Sequence, residues 1–94
     1  MRIEWLRKAL KNLDSEATYI AEHNPQAASD FVQAVMADVQ RLAEFPSMGR
    51  EGRLPGTREW PMVNHPFLIP YRVRDGRLQV LRVFHTRRQP PENW

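Results

Sequence analysis

Asn24 and Pro25 divide the first half of the chain into two segments, and each carries an apolar stripe of helical spacing. The residue before a proline avoids the helical region, so the first helix is expected to end here. The same pair suits the start of a second helix, with asparagine as N-cap and proline at the first helical position. Two helices joined by such a short connection must pack as an antiparallel hairpin.

The two stripes follow the three- and four-residue spacing of one helix face. The first runs through Leu6, Leu10, Leu13, Ala17 and Ile20, and the second through Ala28, Phe31/Val32, Val35, Val39 and Leu42/Ala43. A short opening strand is predicted at residues 2–5. Phe45 and Pro46 are expected to end the second helix.

The second half of the chain predicts strands. Residues 46–57 are rich in glycine and proline and indicate a loop. Strands are expected at residues 58–63, 67–74 and 77–84, with Asp75-Gly76 as a type I′ turn between the last two. Because strands and helices are segregated, we predict an α+β fold, in which an N-terminal strand and a helical hairpin precede a three-stranded antiparallel meander with the helices on one face.

A two-residue turn at Asp75-Gly76 pairs residue i with residue 151−i. The pairs Val73–Leu78, Tyr71–Val80, Ile69–Arg82 and Phe67–Phe84 then form a nearly apolar face that packs on the helices. The opposite face, with Arg72, Leu68 and His85, is half apolar and suits a partner. Pro70 cannot donate to a strand ladder, so an irregularity is expected there, and a bulge would exchange the faces beyond it.

Composition excludes several classes of site and protein. The 94 residues have room for one domain, expected to span residues 1–94. No cysteine is present, which fits a reducing cytoplasm, and the scattered histidines His23, His65 and His85 suggest no structural metal site. No stretch approaches the roughly 20 apolar residues of a membrane span, and no secretory signal is evident. We therefore expect a cytoplasmic protein without metal, cofactor or membrane contact.

Positive charge gathers in the second half. Residues 1–50 hold six basic and seven acidic side chains, whereas residues 51–94 hold eight basic and four acidic ones. All eight of those basic residues are arginines, whose planar fork of donors suits carboxylate and phosphate. This predicts an acidic partner, either protein or nucleic acid. A solvated basic face without a partner is the plainer alternative.

The best candidates for catalytic residues lie in the segment that follows the last strand. Ser15, Ser29 and Ser47 lack the glycine-flanked elbow of a nucleophile, and no phosphate-binding glycine loop occurs. His85 is followed by Arg87 and Arg88, a combination that can transfer protons and stabilise charge on a phosphate. The alternative is a histidine bonded at a strand end beside solvated arginines. Trp60 and Trp94 are candidates for stacking platforms or for packing.

The motifs together resemble the RelE/ParE superfamily of toxins from bacterial type II toxin–antitoxin systems, over nearly the whole chain. The residues that carry the resemblance are Asn24-Pro25 with Ala27-Ala28, the segment Pro46 to Arg50, Gly56-Thr57-Arg58-Glu59, Pro70-Tyr71-Arg72-Val73, and Val83-Phe84-His85 with Arg88. The resemblance implies two helices on an antiparallel sheet of about four strands, in agreement with the periodicity.

Two mechanisms occur in this superfamily. RelE-like members cut messenger RNA on the ribosome, and the resemblance implies His85, Arg88 and Arg72 as the catalytic set if this chain does so. ParE-like members inhibit DNA gyrase. Leu68 stands where RNA-cleaving members often carry an arginine, and their late tyrosine corresponds here to Pro91 or Trp94. These departures favour gyrase as the target, with the ribosome and mRNA as the alternative.

The resemblance also implies a cognate antitoxin with an acidic, disordered C-terminal segment. Candidates for binding the target or the antitoxin are Arg72, Arg82, His85, Arg87, Arg88 and Trp94. A plain nucleic-acid-binding module, with salt-sensitive binding and no growth arrest, is a third hypothesis. Because Pro90-Pro91 cannot continue a helix, the C-terminal helix of some members is not expected here.

Overall fold

Two antiparallel helices, α1 (Arg7–His23) and α2 (Pro25–Glu44), form one layer of the fold. The structure is a computed structural model that describes residues 1–88 and residue 94, so the expectation on Pro90-Pro91 lies outside the described residues. Asn24 joins the helices as predicted. Its backbone N–H donates to the Ile20 carbonyl at 2.9 Å, and its side-chain oxygen accepts from the Ala27 N–H at 3.1 Å. One residue therefore ends α1 and caps α2.

A sheet forms the second layer. The described residues contribute six strands: β1 (Arg2–Trp5), β2 (Arg50–Glu51), β3 (Arg58–Pro61), β4 (Phe67–Arg74), β5 (Arg77–Val80) and β6 (Phe84–His85). Their order is β1-β5-β4-β3-β2, and β6 pairs with β4 beyond β5. The predicted α+β class is confirmed. The sheet is mixed rather than wholly antiparallel, because β1 runs parallel to β5 at its edge.

The core lies between α2 and one face of the sheet. Phe31, Val35 and Val39 of α2 are at most 1% exposed and pack against Ile69, Tyr71, Leu78 and Val80. The predicted stripe of α2 is thus confirmed. The stripe of α1 is partly wrong: Ala9, Leu13 and Glu16 are buried, whereas Leu10 is 48% exposed. The buried face of α1 is rotated from the predicted one and includes a carboxylate.

The segment 46–57 is more ordered than the predicted loop, with a 3₁₀ turn (Pro46–Met48) followed by β2. The Tyr71 hydroxyl organises it, donating to the Pro46 carbonyl at 2.6 Å and accepting from the Gly49 N–H at 2.9 Å. Burial raises the pKa of Tyr71, although the Gly49 hydrogen bond and the charge of Arg58 both act to lower it. A Cβ on Gly49 would lie 2.4 Å from the Tyr71 hydroxyl, so only glycine fits. A buried side chain shapes this segment.

The β4–β5 hairpin follows the predicted register near its turn. Asp75 and Gly76 have φ of 53° and 73°, as a type I′ turn requires, and Tyr71 pairs with Val80. Beyond Pro70 the predicted register is wrong, because Phe67 pairs with His85 and Leu68 with Phe84. The predicted pairs Ile69–Arg82 and Phe67–Phe84 do not form. Three residues, 81–83, oppose two on β4, which is a bulge.

The bulge has two hydrogen-bonded supports. The Leu81 N–H donates to the Pro70 carbonyl at 2.9 Å, and the Val83 N–H donates to the side-chain oxygen of Asn12 on α1 at 3.2 Å. Pro70 has no N–H to continue the ladder, which explains the predicted irregularity. Because of this extra residue, the side chains that follow the bulge lie on the sheet face opposite to the predicted one. His85 therefore faces the helices, and Phe84 faces away.

Candidate functional site

His85, Arg87 and Arg88 border a cavity of about 520 Å³ on the helix side of the sheet. The end of the helical hairpin at which Asn24 joins the two helices forms one wall, and β4 and β6 form the other. The remaining lining residues are Glu16, Tyr19, Ile20, Ala27, Phe31, His65, Pro66 and Phe67. Most of these side chains are apolar or aromatic, so the cavity is a largely apolar pocket with a basic rim.

A turn after β6 places the basic rim. The Thr86 N–H and its hydroxyl both donate to the Pro66 carbonyl, at 2.9 Å and 3.1 Å. The Arg88 N–H donates to the His85 carbonyl at 3.1 Å and closes the turn. These bonds tie residues 85–88 to the start of β4. Arg87 and Arg88 consequently project beside the cavity instead of continuing along the sheet.

His85 is oriented by two contacts. Its ring meets Phe67 edge-on at a centroid distance of 4.9 Å, and its Nδ1 accepts from the Arg87 N–H at 3.1 Å. In the neutral ring the proton therefore sits on Nε2. A second histidine, His65, lies on the same cavity with its ring 5.8 Å from that of Phe31. Sequence patterns give no signal for His65, because it lies in a connection between strands.

Glu16 supplies a buried negative charge to this site. It is 7% exposed and accepts a hydrogen bond of 2.5 Å from Arg88, which forms an ion pair across the cavity wall. Sequence reasoning missed it, although its position three residues after Leu13 and four before Ile20 places it on the apolar face of α1. A carboxylate on such a face needs a partner, and Arg88 is that partner.

Arg72 lies on the opposite face of the sheet. Its Nε donates to the Gln79 side-chain oxygen at 2.6 Å, and the Gln79 amide donates to Glu4 at 3.0 Å. Arg77 also pairs with Glu4 at 3.6 Å. These four side chains form a polar chain across β4, β5 and β1. Arg72 is thus engaged on a surface that does not include His85 or Arg88.

The apolar part of that opposite face is not open, contrary to the predicted half-apolar partner surface. Leu68 and Leu81 are 2% and 4% exposed, yet both lie outside the core between sheet and helices. Trp94 packs edge-on against Phe84 on this side, with ring centroids 5.7 Å apart. Arg82 reaches the same place, where its Nε donates to the Trp94 main-chain oxygen at 3.3 Å. Trp94 therefore packs on its own chain.

Buried Glu59 anchors the arginines beside that surface. It is 2% exposed and accepts from the Arg53 N–H at 3.0 Å, from Arg53 Nε at 3.1 Å and from Arg50 at 3.3 Å. Burial alone raises the pKa of Glu59, but the Arg53 bonds and charge, with the Arg50 bond, outweigh it and lower that pKa. Glu59 is thus an ionised clamp for the segment between β2 and β3.

Comparison with known protein families decides the classification. Residues 3–90 match the family model described as the ParE toxin of type II toxin–antitoxin system, parDE. The chain belongs to the ParE toxin family. Membership confirms the resemblance drawn from the motifs. It also implies an antitoxin as the partner of this ParE toxin.

Individual relatives agree with the family. The toxin Y4kP of Sinorhizobium fredii is 40% identical over 92 residues, which cover 97% of this chain and 94% of that protein. Toxin RelE2 of Caulobacter vibrioides is 30% identical over 87 residues, covering 93% and 97%. A solved structure from the chromosomal ParDE TA system of P. aeruginosa has a TM-score of 0.82 at 30% identity, covering 90% of this chain and 95% of that chain. Both sequence relatives are thus named as toxins, and the solved structure shares the fold of this chain.

The predicted site residues of this ParE toxin fall into two groups. His85, Arg87 and Arg88 gather at the cavity on the helix side, whereas Arg72, Arg82 and Trp94 lie on the opposite side of the sheet. The structure adds Glu16, His65 and Arg53, which the sequence reasoning did not single out. Within residues 1–88 and 94, no helix combines the length and apolar content needed to cross a bilayer. The same residues contain no group of three or more potential metal ligands.

Proposed function

We propose that this ParE toxin arrests growth in the cytoplasm by inhibiting DNA gyrase, without a cofactor. The placement of the three residues that a nuclease would use carries the proposal. His85 and Arg88 lie on the helix side of the sheet, and Arg72 lies on the other side, bonded to Gln79. A general acid or base and the groups that stabilise charge must reach the same phosphate. Separation of these groups by a sheet supports a toxin that binds and does not cleave.

Leu68 supports the same proposal. RNA-cleaving members of the superfamily often carry an arginine at this position of the strand, by the resemblance described above. Leu68 is 2% exposed and pairs with Phe84 in the sheet. A buried aliphatic side chain cannot neutralise charge that develops on a phosphate. The position of Leu68 therefore lacks the positive charge that the resemblance implies for a ribonuclease.

The cavity suits the antitoxin. We infer that the acidic C-terminal segment of the antitoxin places apolar side chains in the cavity and carboxylates near Arg87 and Arg88. The lining is largely apolar, and Arg87 is exposed at its rim. A disordered segment that orders on binding loses conformational entropy, so it needs such paired apolar and ionic contacts.

A second candidate is the RelE-like endoribonuclease. His85 favours it, because its Nδ1 accepts from the Arg87 N–H and its Nε2 is the position for proton transfer. In that case His85 and Arg88 would work within the cavity without Arg72. Codon-associated cuts in mRNA within minutes of induction, read by primer extension, would establish this alternative and overturn gyrase inhibition.

A gyrase assay tests the proposal directly. Purified chain is added to DNA gyrase with relaxed and with supercoiled plasmid, and both supercoiling and trapped cleavage complexes are measured. We expect inhibition or trapped cleavage that increases with toxin concentration and disappears when the antitoxin is added. An intact, folded chain that arrests growth but leaves both gyrase activities unchanged contradicts the proposal.

A further inference from the structure

Trp94 sits on the sheet face that points away from the helices, in a site formed by three other side chains. The ring lies edge-on to Phe84 at 5.7 Å, and the guanidinium carbon of Arg53 lies 5.6 Å from the ring centroid. Arg82 Nε donates to the Trp94 main-chain oxygen at 3.3 Å. We call Arg53, Phe84 and Arg82 the aromatic seat. It combines a cation–π contact, a ring edge and a donor to a neighbouring oxygen.

The seat is built without help from Trp94. Arg53 is held by two hydrogen bonds to Glu59, of 3.0 Å and 3.1 Å, and Glu59 is 2% exposed. Phe84 is fixed in β6 by its pairing with Leu68. A guanidinium and an aromatic ring that are already positioned lose little freedom when a ligand binds. The seat is therefore preformed for a planar aromatic group.

Trp94 fills this seat imperfectly. Its indole Nε1 is buried and has no hydrogen-bond acceptor among the residues that the structure describes. A buried N–H without an acceptor is destabilising compared with the same group in water. The bond from Arg82 is long, at 3.3 Å. Trp94 is thus an occupant that a better ligand can replace.

We propose that the aromatic seat is a binding site for an aromatic side chain in an acidic segment of a partner protein, and that Trp94 occupies it within the same chain until that segment displaces it. Arg53 then contacts the incoming ring, and Arg82 pairs with a neighbouring carboxylate. The acidic partner rests on the proposed toxin–antitoxin function. The proposal that Trp94 occupies the aromatic seat does not depend on that function, so the seat and the toxin–antitoxin function can be refuted independently.

Occupancy within the chain is tested by NMR of the tryptophan indole N–H groups. The Trp94 signal is assigned by Trp94→Phe, and its exchange with water is compared in Arg82→Met and in the matched control Arg74→Met. We expect exchange about tenfold faster in Arg82→Met and unchanged in the control, with the Trp60 signal constant. An indole N–H of Trp94 that exchanges as in a free peptide in the unmodified chain overturns the proposal.

Displacement is tested with the peptide acetyl-Glu-Trp-Glu-amide and its alanine counterpart acetyl-Glu-Ala-Glu-amide. Binding to the unmodified chain and to Trp94→Ala is followed through the backbone amide signal of Phe84. We expect the tryptophan peptide to bind Trp94→Ala about tenfold more tightly, because the competing side chain in the same molecule is gone. Equal affinity for both chains, equal binding of the alanine peptide, or no binding to Trp94→Ala overturns the proposal.

Gyrase inhibition is measured in parallel on the unmodified chain. A seat that binds the tryptophan peptide in a chain that leaves gyrase unaffected refutes the proposed target and keeps the seat. A chain that inhibits gyrase and shows no peptide binding refutes the seat and keeps the target.

Discussion

Glu16 on α1 and Arg88 after β6 lie 72 positions apart in the chain, and their side chains form an ion pair with an N···O distance of 2.5 Å. The Glu16 side chain is 9% exposed and that of Arg88 is 61% exposed. The buried carboxylate thus fixes an arginine that still reaches solvent. This pair couples the helical hairpin to the basic rim of the cavity.

Removing the carboxylate charge tests this coupling. We expect Glu16→Gln to lower the free energy of unfolding by about 1–2 kcal/mol, below the 3–5 kcal/mol of a fully buried pair because Arg88 is largely exposed. Urea denaturation measures the change, with Glu22→Gln on the exposed side of α1 as the control. In a double-mutant cycle with Arg88→Gln, a coupling energy near zero would show that the pair contributes nothing.

Charge reversal at the cavity rim tests the binding surface. Arg87→Glu is expected to weaken antitoxin affinity or growth arrest at least tenfold and to leave the melting temperature within a few degrees, since Arg87 is exposed. Arg82→Glu tests the opposite face in the same way. Arg88→Glu is harder to interpret, because it places a second carboxylate beside Glu16 and so also affects stability. Arg74→Glu, near the hairpin turn, is the matched control, and an unchanged toxicity and affinity in Arg87→Glu and Arg82→Glu would count against both surfaces.

The Asn12 side chain is expected to maintain the bulge that turns His85 toward the helices. Asn12→Ala leaves the Val83 N–H without its acceptor, and we expect a loss of about 1 kcal/mol in the free energy of unfolding. Hydrogen exchange of the Val83 amide should accelerate more than that of Tyr71. The neighbouring Lys11→Ala is the control. Equal protection of the Val83 amide in both variants would show that the bulge does not depend on the Asn12 side chain.

Glu59 predicts a pH dependence of stability. Its pKa is lowered in the folded chain, so its contribution is complete above the unfolded carboxyl pKa of roughly 4.3 and is lost as pH falls through the folded value. We expect Glu59→Gln to be less stable than the unmodified chain near neutral pH, with a difference that shrinks in acid below pH about 4. Urea unfolding across pH measures it, with exposed Glu51→Gln as control. A difference that is constant with pH contradicts the prediction.

Local chemistry in the sequence was enough for several parts of the fold. Asn24-Pro25 marked the helix boundary, Asp75-Gly76 marked the hairpin turn, and the stripe of α2 predicted its buried face. Each depends on residues within a few positions of one another, where φ preferences, capping and helical spacing act directly. The same short motifs carried the resemblance that family membership confirms.

Contacts between distant segments decided the rest. Asn12 supports the bulge opposite Pro70 from 71 positions away, and that bulge moves His85 to the helix side, where Glu16 holds Arg88. β1 pairs in parallel with β5 although both helices lie between these strands in the chain, and no local pattern reports such a pairing. The sequence by itself determined the two helices, the turn between β4 and β5, and the superfamily. Only the tertiary structure decided that His85 faces the helices and that Arg82 does not, because one extra residue in a strand exchanges every side chain beyond it.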